Sequence, residues 1–207
     1  MDKITQTIIL QQELSKKIIS KNFLPKNIQK VCGVDVSYKE NIAYCSAVIL
    51  NKKNFEILET VNLQTTTSSY ISGLFMLRES KPILKTLDKL KTKFDLLFVD
   101  GHGKLHPRQC GLACYIGLTI NKPVIGIGKN LLCGKIRSDK KVEFQGKILG
   151  QALIYNNKKI FVSIGHKISL KTAVKLTKEL TLIQQWYPEP LRLADKYSKQ
   201  FRNSTYT

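Results

Sequence analysis

A chain of 207 residues, 43% hydrophobic and 24% charged, can bury one full core, which excludes a disordered or fibrous protein. Lys and Arg number 34 against 15 Asp and Glu, and a formal charge of +19 points to a polyanion as partner, nucleic acid before an anionic membrane. Five cysteines without a CxxC pair exclude a disulfide framework and a structural zinc site, and suit a reducing compartment such as the cytoplasm. Part of the charge has a second source, since the chain is rich in Lys, Ile and Asn, as proteins of AT-rich genomes are. The first stretch holds Asp2, Lys3, Gln11, Gln12 and Glu13, so no signal-peptide core is expected, and no apolar run is long enough to span a bilayer.

Residues 2–20 read as an amphipathic helix with Ile4, Ile8, Leu14 and Ile18 near one stripe. Residues 31–38, 43–50 and 55–64 read as a three-stranded meander, with 51–54 as a hairpin turn. A polar segment leads through Tyr70 to a short apolar helix ending at Glu79. Ser80 then reads as the cap of a further helix with Pro82 in its first turn. The apolar run before Asp100 reads as a buried strand, followed by a helix over 109–120 that carries Cys110 and Cys114. A strand over 123–128 leads to Lys129, residues 147–155 and 159–165 form a hairpin, and Ser169 caps a helix of 170–182. The tail from Pro188 is basic and weakly patterned. Three antiparallel strands followed by alternating helix and parallel strand predict an α/β fold, a ribonuclease H-like mixed sheet flanked by helices.

The stretch Val99-Asp100-Gly101-His102-Gly103 carries the most chemistry. Asp100 stands at the carboxyl end of its strand, the edge at which open α/β sheets bind ligands. Gly101 and Gly103 can take φ > 0 and let the backbone approach a ligand. Asp35 lies between Val34 and Val36, where a carboxylate must be paired, hydrogen-bonded or metal-bound unless it faces solvent. Glu79, at the expected helix break, is a third candidate. Three oxygen ligands suit Mg²⁺. An acidic pocket in a basic chain reads as metal-assisted phosphodiester hydrolysis, because the pocket needs a cation before a phosphate can enter. His102, His106, His166 and Lys129 all fall near strand ends or glycine turns.

These residues resemble the endonuclease V family over nearly the whole length. The resemblance rests on Gly33-Val34-Asp35, Tyr70-Ile71, Phe75-Met76-Leu77-Arg78-Glu79, the Asp100-Gly101-His102-Gly103 stretch, and His106-Pro107-Arg108 with Gly111. It continues through Ile125-Gly126-Ile127-Gly128-Lys129, the run ending in Gly165-His166, and Pro188-Glu189-Pro190-Leu191-Arg192. The resemblance implies a single domain over 1–207 that uses Mg²⁺, or Mn²⁺, and recognises inosine in DNA or RNA. It implies hydrolysis of the second phosphodiester 3′ to the inosine, leaving 3′-hydroxyl and 5′-phosphate ends, as a step of DNA repair. It makes Asp35, Asp100 and Glu79 the metal ligands, His166 a catalytic histidine, and His106 and Lys129 neighbours of the scissile phosphate. Tyr70 matches a wedge that fills the gap left by a flipped base, and Gly73, Gly111 and Leu132 match the base pocket. Where the family usually has prolines beside the wedge, this chain has Ser69 and Ser72, which leaves the loop looser. A monomer away from membranes is expected. The rival readings are an inosine-specific endoribonuclease, a structure-directed nuclease of the same fold and a non-catalytic basic nucleic-acid-binding protein.

Overall fold

The computed structural model describes residues 2–66, 75–155 and 157–205. Helix α1 (Lys3–Ser15) is capped by Asp2, whose carboxylate accepts the Thr5 N–H at 2.8 Å. It stops at Ser15, short of the expected residue 20. Strands β1 (Lys30–Lys39), β2 (Ile42–Asn51) and β3 (Ile57–Thr66) form the expected antiparallel meander.

Helix α2 (Phe75–Asp88) corrects the expected break at Glu79. It runs straight through Ser80 and holds Pro82 in its interior. Met76, Glu79, Ile83, Thr86 and Leu87 recur at helical spacing and are all buried. The tertiary contacts of that stripe outweigh the backbone hydrogen bond that proline cannot make.

Strand β4 (Leu96–Asp100) and strand β5 (Val124–Gly128) appear as expected, with α3 (Leu112–Ile120) between them. Cys110 therefore precedes the helix that holds Cys114, although both are buried. Two short strands not anticipated from the sequence, β6 (Lys135–Ile136) and β7 (Lys141–Phe144), lead into the predicted hairpin β8 (Lys147–Tyr155) and β9 (Lys158–His166). Helix α4 (Leu170–Glu179) is capped by Ser169 as expected. The tail is also a helix, α5 (Glu189–Ser204). Its buried stripe includes Leu191, Ala194 and Ser198, and the small residues in it hide the periodicity.

The strands form one sheet in the order β3-β2-β1-β4-β5-β9-β8-β7-β6. β1, β4 and β5 are parallel, and β9 runs antiparallel to β5. Alternation along the strands builds two cores. Val31, Leu96, Phe98 and Ile127 pack beneath α4 and α5, while Cys32, Val34, Leu97 and Val99 pack beneath α2 and α3. This is the expected mixed α/β sheet flanked by helices. Among the described residues no helix is long and apolar enough to cross a membrane.

Candidate active site

The parallel register of β1 and β4 ends at Val34 opposite Val99. Asp35 and Asp100 are the next residues on the two strands, so their side chains leave the sheet side by side at its carboxyl edge. Glu79 reaches the same edge from α2, on the other face of the sheet. Asp195 reaches it from α5. All four carboxylates line one cavity of about 520 Å³, a size suited to a small-molecule moiety such as a base.

The cluster is electrostatically tense. Asp35 is 8% exposed and Glu79 4%. Burial raises the pKa of Asp35 well above the carboxylate range, and Asp100 beside it adds to the rise. Burial does the same to Glu79, although Tyr38 opposes it by donating its hydroxyl to Glu79 Oε1 at 2.7 Å. Lys129 Nζ sits 2.5 Å from Asp100 Oδ2. Burial disfavours the ammonium, but Asp100 and Asp35 outweigh it and raise the Lys129 pKa.

Without a cation Asp35 and Glu79 cost stability. The folded chain holds their protons more tightly than the unfolded chain does. Their contribution is therefore best below the ordinary carboxylate pKa and declines as pH rises towards the raised folded values. Asp35→Asn should raise Tm in chelator at pH 8, by roughly 2–4 °C for each kcal/mol relieved. The gap between variant and wild type should widen from pH 4 to pH 8. A gap independent of pH in thermal melts would mean that Asp35 carries no such strain.

Two loops wall the cavity. In the first, His106 is buried and its Nδ1 accepts the Arg108 N–H at 3.2 Å, so the neutral ring carries its proton on Nε2. Gln11 from α1 ties this loop down, donating to the Cys110 carbonyl at 3.0 Å and accepting from Arg108 Nε at 2.6 Å. Gly111 follows and opens α3. The second wall carries Lys129, Leu131 and Leu132 beyond β5. Gly103 has ordinary φ, and its missing Cβ makes room for the Ile164 carbonyl, which would stand 2.0 Å away, and not for a ligand.

A family profile described as Endonuclease V matches residues 12–196, a span that takes in all four acids. The chain belongs to the endonuclease V family. The family is one of nucleases, hydrolases of phosphodiester bonds. The chain is 40% identical over 200 residues to Endonuclease V of Pyrococcus abyssi, covering 96% of this chain and 91% of that one. The crystal structure of the Bacillus subtilis Endonuclease V superposes with a TM-score of 0.90 at 28% identity, covering 100% of this chain and 94% of that one. That of Ciona intestinalis Endonuclease V, in complex with a 24mer DNA containing an inosine followed by a ribo-adenosine, gives 0.86 at 28% identity and covers 98% of each chain.

Within this endonuclease V family chain the structure brings together Asp35, Glu79, Asp100, His106, Gly111, Lys129 and Leu132. It does not bring His166. The antiparallel pairing of β9 sets His166 opposite Val124, whereas Asp100 is level with Ile127. That separates them by three residues along the sheet, on the order of 10 Å. His166 Nδ1 instead accepts the Ile19 N–H at 3.3 Å. Tyr70 and Gly73 lie outside the described residues. Sequence reasoning missed Asp195, Tyr38 and Gln11. Tyr38, three residues after Asp35, was the one within reach of a strand-based argument, since it shares a face with Val34 and Val36.

Proposed function

We propose that this endonuclease V family member recognises inosine in nucleic acid and hydrolyses the second phosphodiester on its 3′ side, leaving 3′-hydroxyl and 5′-phosphate ends. The observation that carries the reading is the convergence of Asp35, Glu79, Asp100 and Asp195 on one cavity in a chain of net charge +19. The nearness of inosine-bearing DNA in the Ciona relative supports the substrate class.

Among the described residues no three acidic, histidine or cysteine side chains already form a metal cage. The donor set nevertheless fits a hard cation, because all four ligands are carboxylates and two are held above their ordinary pKa by crowding and burial. Asp35, Asp100, Glu79 and Asp195 would hold Mg²⁺, for which Mn²⁺ would substitute. The bound cation would neutralise charge on the phosphoryl oxygens and acidify the attacking water.

The chain's own groups do the rest. Lys129, beside Asp100 at the cavity edge, would pair with a phosphate oxygen. His106, with its proton on Nε2, donates to the same region. Tyr38 fixes the rotamer of Glu79. The backbone at Gly111 and the Leu132 side chain bound the base. Hypoxanthine offers a keto acceptor and a ring N–H where adenine offers the reverse. A pocket of fixed amides and carbonyls therefore leaves groups unpaired around the wrong base. Tyr70 would fill the gap in a duplex. With Ser69 and Ser72 in place of prolines, single strands should be cut more readily than duplexes.

The test is cleavage of matched DNA and RNA strands carrying one inosine, with adenine-only and branched undamaged controls, in Mg²⁺ and in chelator. Cutting of undamaged branches at the same rate would overturn the inosine reading. Binding should weaken steeply with salt, log K falling by roughly 0.9 per log unit of salt for each phosphate contact on duplex DNA. A slope near zero would assign the charge to composition and not to a binding face.

A further inference from the structure

His102 touches neither the carboxylates nor the Lys129 ammonium by any hydrogen bond, yet it lies between the two walls of the cavity. Its backbone carbonyl accepts the Ala113 N–H at 3.1 Å, in the first turn of α3. The same carbonyl would stand 2.3 Å from a Cβ at Gly111, so it also sets how close the Gly111 wall comes. The ring reaches the other way. Nε2–H donates to the Asn130 carbonyl at 2.8 Å, and Asn130 joins Lys129 to Leu131 and Leu132. A carbonyl only accepts, so the Nε2 proton is fixed. Nδ1 is then a buried acceptor without a partner among the described residues. Gly128 admits the ring: a Cβ there would lie 2.2 Å from His102 Cε1 and 2.4 Å from Nε2. A half-buried ring with its buried nitrogen left unpaired, in a slot opened by a glycine, is a costly arrangement for a residue that only fills space.

We propose that His102 is a positioning residue: it ties the Lys129–Leu132 loop to the end of β4, and with its carbonyl on α3 it sets the width of the base pocket and the place of Lys129. The proposal rests on the reading of the cavity as an inosine nuclease site. It predicts a thermodynamic coupling between His102 and Gly128, which both line the cavity. His102→Ala removes the tie. Gly128→Ala displaces the ring and removes the same tie. In the double variant the second change finds the ring already gone and adds little. His102→Gln keeps a side-chain N–H for Asn130 and should restore part of the effect.

The experiment has two arms on the full chain. The first follows amide hydrogen exchange of residues 129–132 in chelator without nucleic acid. Exchange there should speed up about tenfold in His102→Ala and in Gly128→Ala, no further in the double variant, and less in His102→Gln. The second measures KM and kcat for a single-stranded inosine DNA in Mg²⁺. KM should rise about tenfold in each single variant and not multiply in the double. A merely structural role would lower the active fraction, and so kcat, and leave KM unchanged. Unchanged exchange, unchanged KM in variants of an active wild type, or effects that multiply would overturn the proposal. A wild type that leaves inosine strands uncut would refute the functional reading, and the exchange arm would then decide the His102 tie alone.

Discussion

Asp35→Ala and Asp100→Ala will each abolish cation-dependent cleavage of an inosine-bearing strand. The two carboxylates leave neighbouring parallel strands at the same edge, so both would face a cation held there. Losing one such preorganised electrostatic group typically costs about 10²–10³ in rate. The fold should survive. Burial, with Asp100 beside it, pushes the Asp35 pKa up, so its removal relieves strain. Asp100→Ala leaves Lys129 without its carboxylate, but Lys129 is 40% exposed and keeps the face of the Tyr187 ring, 4.9 Å from Nζ. Single-turnover cleavage in Mg²⁺, beside a thermal melt of the same sample, separates lost chemistry from lost folding. Wild-type turnover in either variant would refute the ligand assignment. Nucleic-acid binding should persist, since removing an acid reduces repulsion of phosphate.

Gly33→Ala should be strongly destabilising. A Cβ at Gly33 would lie 2.1 Å from the Pro190 carbonyl oxygen and 2.9 Å from the Leu191 nitrogen. Both are backbone atoms at the start of α5, so no side chain can turn aside. Helix α5 must lift from β1, which costs about 3 kcal/mol by the usual scale of overpacking and lowers Tm by roughly 6–12 °C. The lift would also carry Asp195 away from Asp35, so residual activity should fall by more than the folded fraction does. An unchanged Tm would mean that α5 is not seated on Gly33. The contact also explains why α5 has a stripe of small residues: Ala194 and Ser198 let a helix approach a strand whose own facing residue is glycine.

The acidic pair was legible before the structure because its signal is local. Val34-Asp35-Val36 and Val99-Asp100-Gly101 each break an apolar strand with a charge, and a strand's period of two then says which side the charge takes. Glu79 was found for an inexact reason. Ser80 and Pro82 read as a helix start, whereas the buried stripe from Met76 to Leu87 carries one helix through them. Asp195 was invisible. From its surroundings it is an ordinary surface acid, i,i+4 to Lys199 and bonded to it at 2.7 Å. Only the docking of α5 across β1 brings it to Asp35.

The sequence by itself determined the mixed α/β fold, the family and the acids on β1 and β4, because strand periodicity, glycine turns and interrupted apolar runs are properties of neighbouring residues. The tertiary structure alone decided which distant polar groups share the cavity. It brought in Asp195 and Gln11 from two helices at opposite ends of the chain. It left His166 out, because β9 pairs antiparallel to β5 and so ends where β5 begins. Strand direction and helix docking are settled by burying two faces of one sheet at once, and that free energy is carried by contacts between residues far apart in the chain, which no local pattern records.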